Sequence, residues 1–326
     1  MKLGTLKHAK KLDGELVVVS QDNKLAIKAT GVASCLREAV ENWQETFSKL
    51  EKIYKDLNAG NVSDSFNVNE ADFHSPLPRS FQWADGSSFL EHVRLVRKAR
   101  NAEMPESLYT VPLMYQGMSD EFLAPRADIP QIEMGHGTDF EGEVGVITSN
   151  VPMGVSPEAA LKCILLFVLI NDVSLRGLVA EELAQGFGFF QSKPASAFAP
   201  FAITADELDL AWSNGRIKLP VLVNLNGEFF GKANAKEMHF HFGQLIAHAA
   251  RTRNLSAGTI IGSGTVSNAD ESVGASCIQE VRMREKIKSG EFKTPFMKIG
   301  DTIEIKMLNQ NGENLFGTIL QKVARA

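Results

Sequence analysis

An unbroken apolar segment from Ile164 to Ile170 constrains the fold of this chain more than any other feature. Its seven residues are too few to cross a bilayer, which takes roughly 20, but they suit a buried strand. The segment leads directly into Asn171 and Asp172, with Arg176 shortly after. An ordinary strand end with a solvated turn is one interpretation. A carboxylate at the edge of an apolar core needs a partner, however, and a metal ion or Arg176 would provide one.

A second carboxylate-rich segment lies upstream, around Glu141 and Glu143. If this segment is a strand, both carboxylates point to one face, while Phe140, Val144 and Val146 point to the other. Like charges on one face repel each other, and the repulsion costs least on a solvated surface or around a cation. The segment therefore predicts either a strand with a polar surface or part of a metal site.

The third candidate segment runs from Asp85 to His92. Asp85 and the serines that follow it suit the start of a helix, so one interpretation of Asp85 is simple N-capping. His92 falls within the predicted helix, where a single histidine is more often a surface residue than a catalyst. If Asp85 instead joins the three carboxylates above, the site has only oxygen ligands. Such a site favours Mg²⁺ or Ca²⁺, with Mn²⁺ as a further option.

A glycine-rich segment, Gly258–Thr265, superficially resembles a phosphate-binding loop. It lacks the Gly-Lys-Ser/Thr ending of such loops, which argues against a nucleotide site. We interpret the segment as a strand ending in a loop, where glycine allows the backbone to approach another group closely.

The remaining pattern predicts a strand-rich α+β protein, because strands outnumber helices and do not alternate with them regularly. A polar stretch ending in Ser75 and Pro76 suggests a boundary between a small N-terminal domain, residues 1–75, and a larger domain, residues 76–326. The predicted elements are strands at 16–19, 25–27, 141–147, 221–225 and 303–307, and helices at 36–57, 89–101, 157–164 and 242–252.

Composition excludes several classes of function. Acidic residues outnumber basic ones by 39 to 34 and no basic block stands out, so nucleic acid is not expected as a partner. Cys35, Cys163 and Cys277 are odd in number and far apart, which fits reduced thiols better than disulfides. None of them has a Cys or His at zinc-ligand spacing. With neither a secretory signal nor a membrane segment in the pattern, the expectation is a soluble cytoplasmic protein.

Four motifs occur in a fixed order along the chain: Glu141-Gly142-Glu143, Asn171 to Arg176, Lys193, and Gly262 to Ser267. Together they resemble the fumarylacetoacetate hydrolase family over residues 76–326. The resemblance implies a mixed β-roll for the catalytic domain, in agreement with the strand-rich pattern. The N-terminal unit resembles the SH3-like N-terminal domain of fumarylacetoacetase, although it is shorter here.

The resemblance also implies a role for eleven individual positions. They are Asp85, Glu141, Glu143 and Asp172 as metal ligands; His92 as the catalytic base and Glu280 as the carboxylate that orients it; Arg176 and Lys193 as catalytic cations; and Tyr115, Thr265 and Arg100 as substrate contacts. Three positions depart from the animal fumarylacetoacetase pattern: Val179 replaces a Gln, Ser196 is displaced from a Thr, and Arg100 lies one place off the expected Arg. Glu280 matches only with a one-residue insertion. These departures concern substrate recognition more than metal binding.

The activity implied by the resemblance is metal-dependent hydrolysis of a carbon–carbon bond in a 1,3-diketo acid. Fumarylacetoacetate, from aromatic amino-acid catabolism, is the expected substrate, and a homodimer is the expected assembly. Acylpyruvate hydrolysis, oxaloacetate decarboxylation and isomerisation of catechol-pathway diacids stay open within the family.

Two interpretations from other classes of protein also stay open. Paired carboxylates could serve a glycosidase, although that class usually has aromatic platforms and this chain has only three Trp. A non-catalytic module stabilised by Ca²⁺ would leave His92, Lys193 and Arg176 without a role.

Overall fold

The computed structural model describes residues 1–99, 101 and 103–326. The strands are β1 Lys2–Leu6, β2 Glu15–Val19, β3 Leu25–Lys28, β4 Phe66–Asn67, β5 Phe73–His74, β6 Trp83–Ser87, β7 Leu113–Gly117, β8 Ile129–Gln131, β9 Thr138–Asp139, β10 Gly142–Thr148, β11 Ile164–Asn171, β12 Ser174–Leu175, β13 Ala197–Phe198, β14 Phe201–Ile203, β15 Trp212–Ser213, β16 Arg216–Ile217, β17 Leu222–Leu225, β18 Glu228–Gly231, β19 Ile260–Gly262, β20 Thr302–Lys306 and β21 Ile319–Arg325. The α-helices are α1 Leu36–Glu41, α2 Trp43–Asn58, α3 Leu90–Lys98, α4 Pro157–Leu161, α5 Arg176–Gln185, α6 Phe242–Ala249 and α7 Ile278–Ser289. The 3₁₀ helices are Glu70–Asp72, Glu106–Tyr109, Met134–His136, Ala205–Glu207, Asp209–Ala211, Ala235–Glu237 and Glu271–Val273.

The main sheet has the strand order β4-β3-β2-β1-β14-β11-β10-β19-β6-β7, with β5 added to β1 and β13 added to β11. Strand β11 is the predicted apolar segment, and it is buried from Leu166 to Asn171. Its neighbour β10 is antiparallel to it and buried along its whole length. Strands β19 and β6 run parallel, so the sheet is mixed. The predicted α+β, strand-rich class is confirmed.

A second sheet, ordered β18-β17-β20-β21-β8, packs with the main sheet and helix α6 around the larger hydrophobic core. The Asn226-Gly227 turn joins β17 to β18 as predicted, with both turn residues at positive φ. Among the described residues, every helix is too short or too polar to cross a membrane.

The N-terminal strands β1 to β4 form an open meander whose edge continues into the main sheet, because β1 pairs with β14. The apolar stripe predicted as one helix is two helices, α1 and α2, separated at Asn42. The Thr46 hydroxyl donates to the backbone oxygens of Ala39 and Asn42, which competes with regular helical bonding at the break. The boundary after residue 75 stays a prediction.

Candidate active site

Three carboxylates converge at the centre of the main sheet. Asp85 lies in β6, Glu143 in β10, and Asp172 follows β11 directly. Strand β10 pairs with both β11 and β19, and β19 pairs with β6, which brings these distant parts of the chain together. One oxygen from each carboxylate lies within 4.8 Å of the others, and all three residues are buried. We call this set the carboxylate cluster. It places Asp85 in a strand, so the N-capping interpretation of that residue was wrong.

The carboxylate cluster is electrostatically unfavourable without a cation. Burial and the neighbouring carboxylates raise the pKa of Asp85 and the pKa of Glu143 well above their ordinary values. Neither oxygen of Glu143 has a hydrogen-bond partner in the described part of the chain, although the residue is fully buried. Buried carboxylates need a partner, and oxygen-only ligands suit a hard divalent ion. The donor set therefore fits Mg²⁺, Ca²⁺ or Mn²⁺.

Glu141, the fourth expected ligand, is held differently. Its Oε1 accepts a hydrogen bond from Arg176 Nη2 at 2.6 Å, and its Oε2 accepts one from Lys193 Nζ at 2.6 Å. Burial opposes ionisation of this carboxyl, but Lys193 and Arg176 lower its pKa below the usual range. Lys193 also donates to Asp172 at 2.6 Å, so it links Glu141 to the carboxylate cluster.

Asp172 accepts more hydrogen bonds from side chains than the other two members of the carboxylate cluster. Besides Lys193, it accepts hydrogen bonds from the Tyr115 hydroxyl at 2.7 Å and from the Ser196 hydroxyl at 2.7 Å. The Tyr115 ring lies edge-on to Phe189, with 5.4 Å between centroids. Tyr115 therefore reaches the cluster as well as the space beyond it. The displaced Ser196 still provides a hydroxyl to the site.

His92 and Glu280 form a hydrogen-bonded pair. Nδ1 of His92 lies 2.8 Å from Oε1 of Glu280, across 188 residues of sequence. His92 is on α3 and Glu280 is in the first turn of α7, and these two helices pack together. Glu280 is fully buried, while the His92 side chain is 16% exposed. The pair has the arrangement of a base oriented by a carboxylate.

In the glycine-rich segment, the backbone approaches Asp85 and Trp83 closely, as expected. A side chain at Gly262 would overlap Asp85 Oδ1 and the Trp83 ring. Gly264 has a φ of 79°, and its N–H donates to Asp85 Oδ1 at 3.0 Å. Thr265 follows directly and is buried beside this contact. Arg100, expected to contact substrate, lies outside the described residues.

Sequence reasoning gave no role to Asp139, which organises both halves of the site. Its carboxylate accepts hydrogen bonds from the N–H groups of Ile278 and Gln279, at the start of α7, and from Arg176 Nε at 2.9 Å. Asp139 therefore joins the helix that carries Glu280 to the arginine that holds Glu141. Its spacing of two residues from Glu141 was the available signal, since it predicts a common strand face.

A cavity of about 1040 Å³ opens beside this network. Lys193 contributes to its wall, together with Gln116, Gln191 and the aromatic pair Phe189 and Phe190. Largely apolar walls with a few polar groups are typical of small-molecule sites. Lys193 thus lies between the cavity and the carboxylate cluster.

Comparison with known protein families agrees with this geometry. The fumarylacetoacetate (FAA) hydrolase C-terminal family matches residues 82–324, and the fumarylacetoacetase N-terminal domain 2 family matches residues 1–79. The chain belongs to the fumarylacetoacetate hydrolase family.

Individual relatives carry different activities. The fumarylacetoacetase of Caenorhabditis elegans is 25% identical over 309 residues, spanning 79% of this chain and 74% of the nematode protein. The oxaloacetate tautomerase YisK of Bacillus subtilis is 24% identical over 206 residues, which span 62% of this chain and 64% of the Bacillus protein. A maleylpyruvate hydrolase from Sphingobium sp. SYK-6, solved with manganese(II) and pyruvate, has the same fold, with a TM-score of 0.65, 15% identity and 100% coverage of both chains. The family therefore includes hydrolases and tautomerases.

Proposed function

We propose that this chain hydrolyses a carbon–carbon bond in a 1,3-diketo acid, most simply fumarylacetoacetate, giving fumarate and acetoacetate. The observation that carries the proposal is the combination of the His92–Glu280 pair with the carboxylate cluster, which Asp139, Arg176 and Glu141 connect. A proton acceptor and a place for a hard cation are the two requirements of metal-assisted hydrolysis.

The metal would be held by Asp85, Glu143 and Asp172, with Glu141 adjacent. When bound, it would supply Lewis-acid polarisation of the substrate's keto oxygens. The manganese in the related maleylpyruvate hydrolase supports a divalent ion of this class.

The chain's own residues would carry the proton and the charge. His92, oriented by Glu280, accepts a proton from water, and the resulting hydroxide attacks the carbonyl carbon. The carbon–carbon bond then breaks, leaving a carboxylate on one product and an enolate on the other, and the enolate takes up a proton. Lys193 and Arg176 keep positive charge beside the developing negative oxygens. Tyr115 and Thr265 would bind substrate oxygens.

The direct test is a spectrophotometric assay that follows loss of the diketo acid chromophore of fumarylacetoacetate. We expect turnover with Mg²⁺ or Mn²⁺ and loss of turnover with EDTA. Absence of turnover with every added divalent ion would contradict the assignment.

Substitution of the base separates chemistry from metal binding. We expect His92→Ala to lower kcat by at least about 100-fold while Mg²⁺ affinity, measured by calorimetry, stays unchanged. His248→Ala, a partly buried histidine on α6, is the matched control and should retain full activity. Equal activity of the His92 variant and the control would exclude His92 as the base.

Oxaloacetate tautomerisation is a second candidate, favoured by the similarity to the Bacillus subtilis tautomerase. The His92–Glu280 pair could move a proton between carbon and oxygen without any bond to water. A parallel assay with fumarylacetoacetate, an acylpyruvate and oxaloacetate distinguishes the candidates. Interconversion of oxaloacetate tautomers without loss of either diketo acid would replace the hydrolase proposal.

A further inference from the structure

Beside the carboxylate cluster lies a second set of metal-ligating side chains with different chemistry. A nitrogen of His92, the Sγ of Cys277 and an oxygen of Glu280 all lie within 4.8 Å of one another. Cys277 and Glu280 are fully buried, and His92 is partly exposed. Hydrolysis as proposed above uses His92 and Glu280 but leaves the thiol without a function.

The donor atoms decide which ion such a set would prefer. Imidazole, thiolate and carboxylate together are typical ligands of Zn²⁺, whereas Mg²⁺ and Ca²⁺ take oxygen ligands. We propose that His92, Cys277 and Glu280 form a second cation site, selective for Zn²⁺ and other thiophilic divalent ions. We call it the soft-cation site.

A buried polar atom without a partner supports the proposal independently. Glu280 Oε2 accepts no hydrogen bond from the described residues, although the side chain is fully buried. The nearest cation, Arg284 Nη2, is 3.6 Å away, beyond a normal hydrogen bond. Glu280 therefore has an oxygen that accepts no hydrogen bond from a described residue, and the same carboxylate belongs to the set that contains the thiol.

The backbone places two of the three ligands on one short segment. Cys277 occupies the N-cap position of α7, where its thiol makes no capping hydrogen bond, and Glu280 lies three residues later in the first turn. Ligands around a tetrahedral zinc ion are roughly 3.3 to 3.8 Å apart. Each separation within the set is at most 4.8 Å, so it exceeds the tetrahedral value by no more than about 1.5 Å. His92, on a different helix and partly exposed, is the ligand best placed to move and to admit the ion.

Binding at the soft-cation site has a defined proton balance. The Cys277 thiol loses its proton to solvent as the sulfur–metal bond forms. The proton of the His92–Glu280 hydrogen bond moves to the other ring nitrogen of His92, so that Nδ1 and the Glu280 carboxylate are free to bind the ion. His92 is then unable to accept a proton from water, so the bound ion would inhibit the enzyme. This last consequence rests on the proposed function, whereas the binding itself does not.

Cobalt(II) provides a test that requires no activity measurement. With excess Mg²⁺ present to fill the carboxylate cluster, anaerobic titration with Co²⁺ should produce a near-ultraviolet thiolate-to-cobalt charge-transfer band that saturates at one ion per chain. Added Zn²⁺ should abolish the band by competition. Absence of the band in the wild-type protein overturns the proposal.

Variants assign the band to the three ligands. Cys277→Ser should lose the band completely, while Cys163→Ser, which removes the partly exposed thiol beside α4, should retain it. His92→Ala removes a partly exposed ligand without opening the core, and it should weaken Zn²⁺ binding by more than about 10-fold. An unchanged band in Cys277→Ser, or unchanged Zn²⁺ affinity in His92→Ala, contradicts the site. If the band appears in a chain that hydrolyses no diketo acid, the proposed function fails and the soft-cation site stands.

Discussion

At the scale of single residues, Glu143 depends most on a bound cation, because both its oxygens are buried without partners beside Asp85 and Asp172. We expect Glu143→Gln to lower Mg²⁺ affinity by at least about 10-fold, measured by calorimetry. Without metal, at pH 8, the variant should melt at a higher temperature than the wild type, because the amide removes a carboxyl whose ionisation burial and the neighbouring carboxylates oppose. Glu228→Gln, an exposed carboxylate on β18, is the control for both measurements. A variant that binds Mg²⁺ as the wild type does would place the ion elsewhere.

Asp139 differs from Glu143 because its partners are protein groups, so its replacement should affect the stability of the fold. Asp139→Asn keeps the size of the side chain but removes the charge that faces Arg176 and the N-terminus of α7. Loss of one partner from a buried ion pair should cost about 3 kcal/mol in the free energy of unfolding, measured with urea. Asp270→Asn changes an exposed capping residue that forms no ion pair with any described residue, and it should cost less than about 0.5 kcal/mol. Similar costs for the two variants would show that Asp139 is only a cap.

The difference between Glu143 and Asp139 explains why one of them was identified from the sequence and the other was not. Glu143 belongs to a short motif with a known order relative to its neighbours, so the resemblance found it. Asp139 contacts Arg176, 37 positions away, and Ile278, 139 positions away, while Cys277 meets His92 across the packing of α3 and α7. The spacing of Asp139 from Glu141 was a weak local signal, and Cys277 had none. The sequence also put Asp85 in a helix start, because a strand followed by serines looks the same locally.

At the scale of elements, the strands and helices that could be predicted were those with a clear apolar or turn pattern in the sequence. Strand β11 and the Asn226-Gly227 hairpin have strong local signals, and both were predicted. Helices α5 and α7 were not predicted. Helix α5 buries none of its residues, and two of the four residues that α7 buries are the charged Glu280 and Arg284. Apolar periodicity is absent where a helix presents polar groups to a site.

The approach of β19 to β6 gives a prediction at this scale. A methyl group at Gly262 would overlap Asp85 Oδ1 and the Trp83 ring, so Gly262→Ala should separate the two strands. We expect a loss of about 2 kcal/mol in the free energy of unfolding together with weaker Mg²⁺ binding, because Asp85 moves out of the carboxylate cluster. Gly135→Ala places its methyl group in open space and is the control. A Gly262 variant that loses stability but binds Mg²⁺ normally would show that Asp85 is not a ligand.

At the scale of the whole molecule, residues of both predicted domains contribute to the main sheet and to one shared hydrophobic cluster. The β1–β14 pairing continues the N-terminal meander into the main sheet. A single apolar cluster joins N-terminal residues such as Leu3 and Leu50 to Trp83, Phe198 and Ile260 of the larger domain. Residues that share a core lose their contacts together, so packing couples the N-terminal strands to the rest of the chain.

This continuity predicts that both parts unfold in one transition, and the three Trp residues can report it. Trp43 packs against the shared core from α2, whereas Trp212 packs in the core of the larger domain. In a Trp83→Phe/Trp212→Phe variant only Trp43 reports, and in a Trp43→Phe/Trp83→Phe variant only Trp212 reports. Within each variant, fluorescence and far-ultraviolet circular dichroism should give the same urea midpoint, as expected for a two-state protein. A Trp43 signal that changes before the dichroism would mean that the N-terminal unit unfolds alone, because the main sheet then survives the loss of β1.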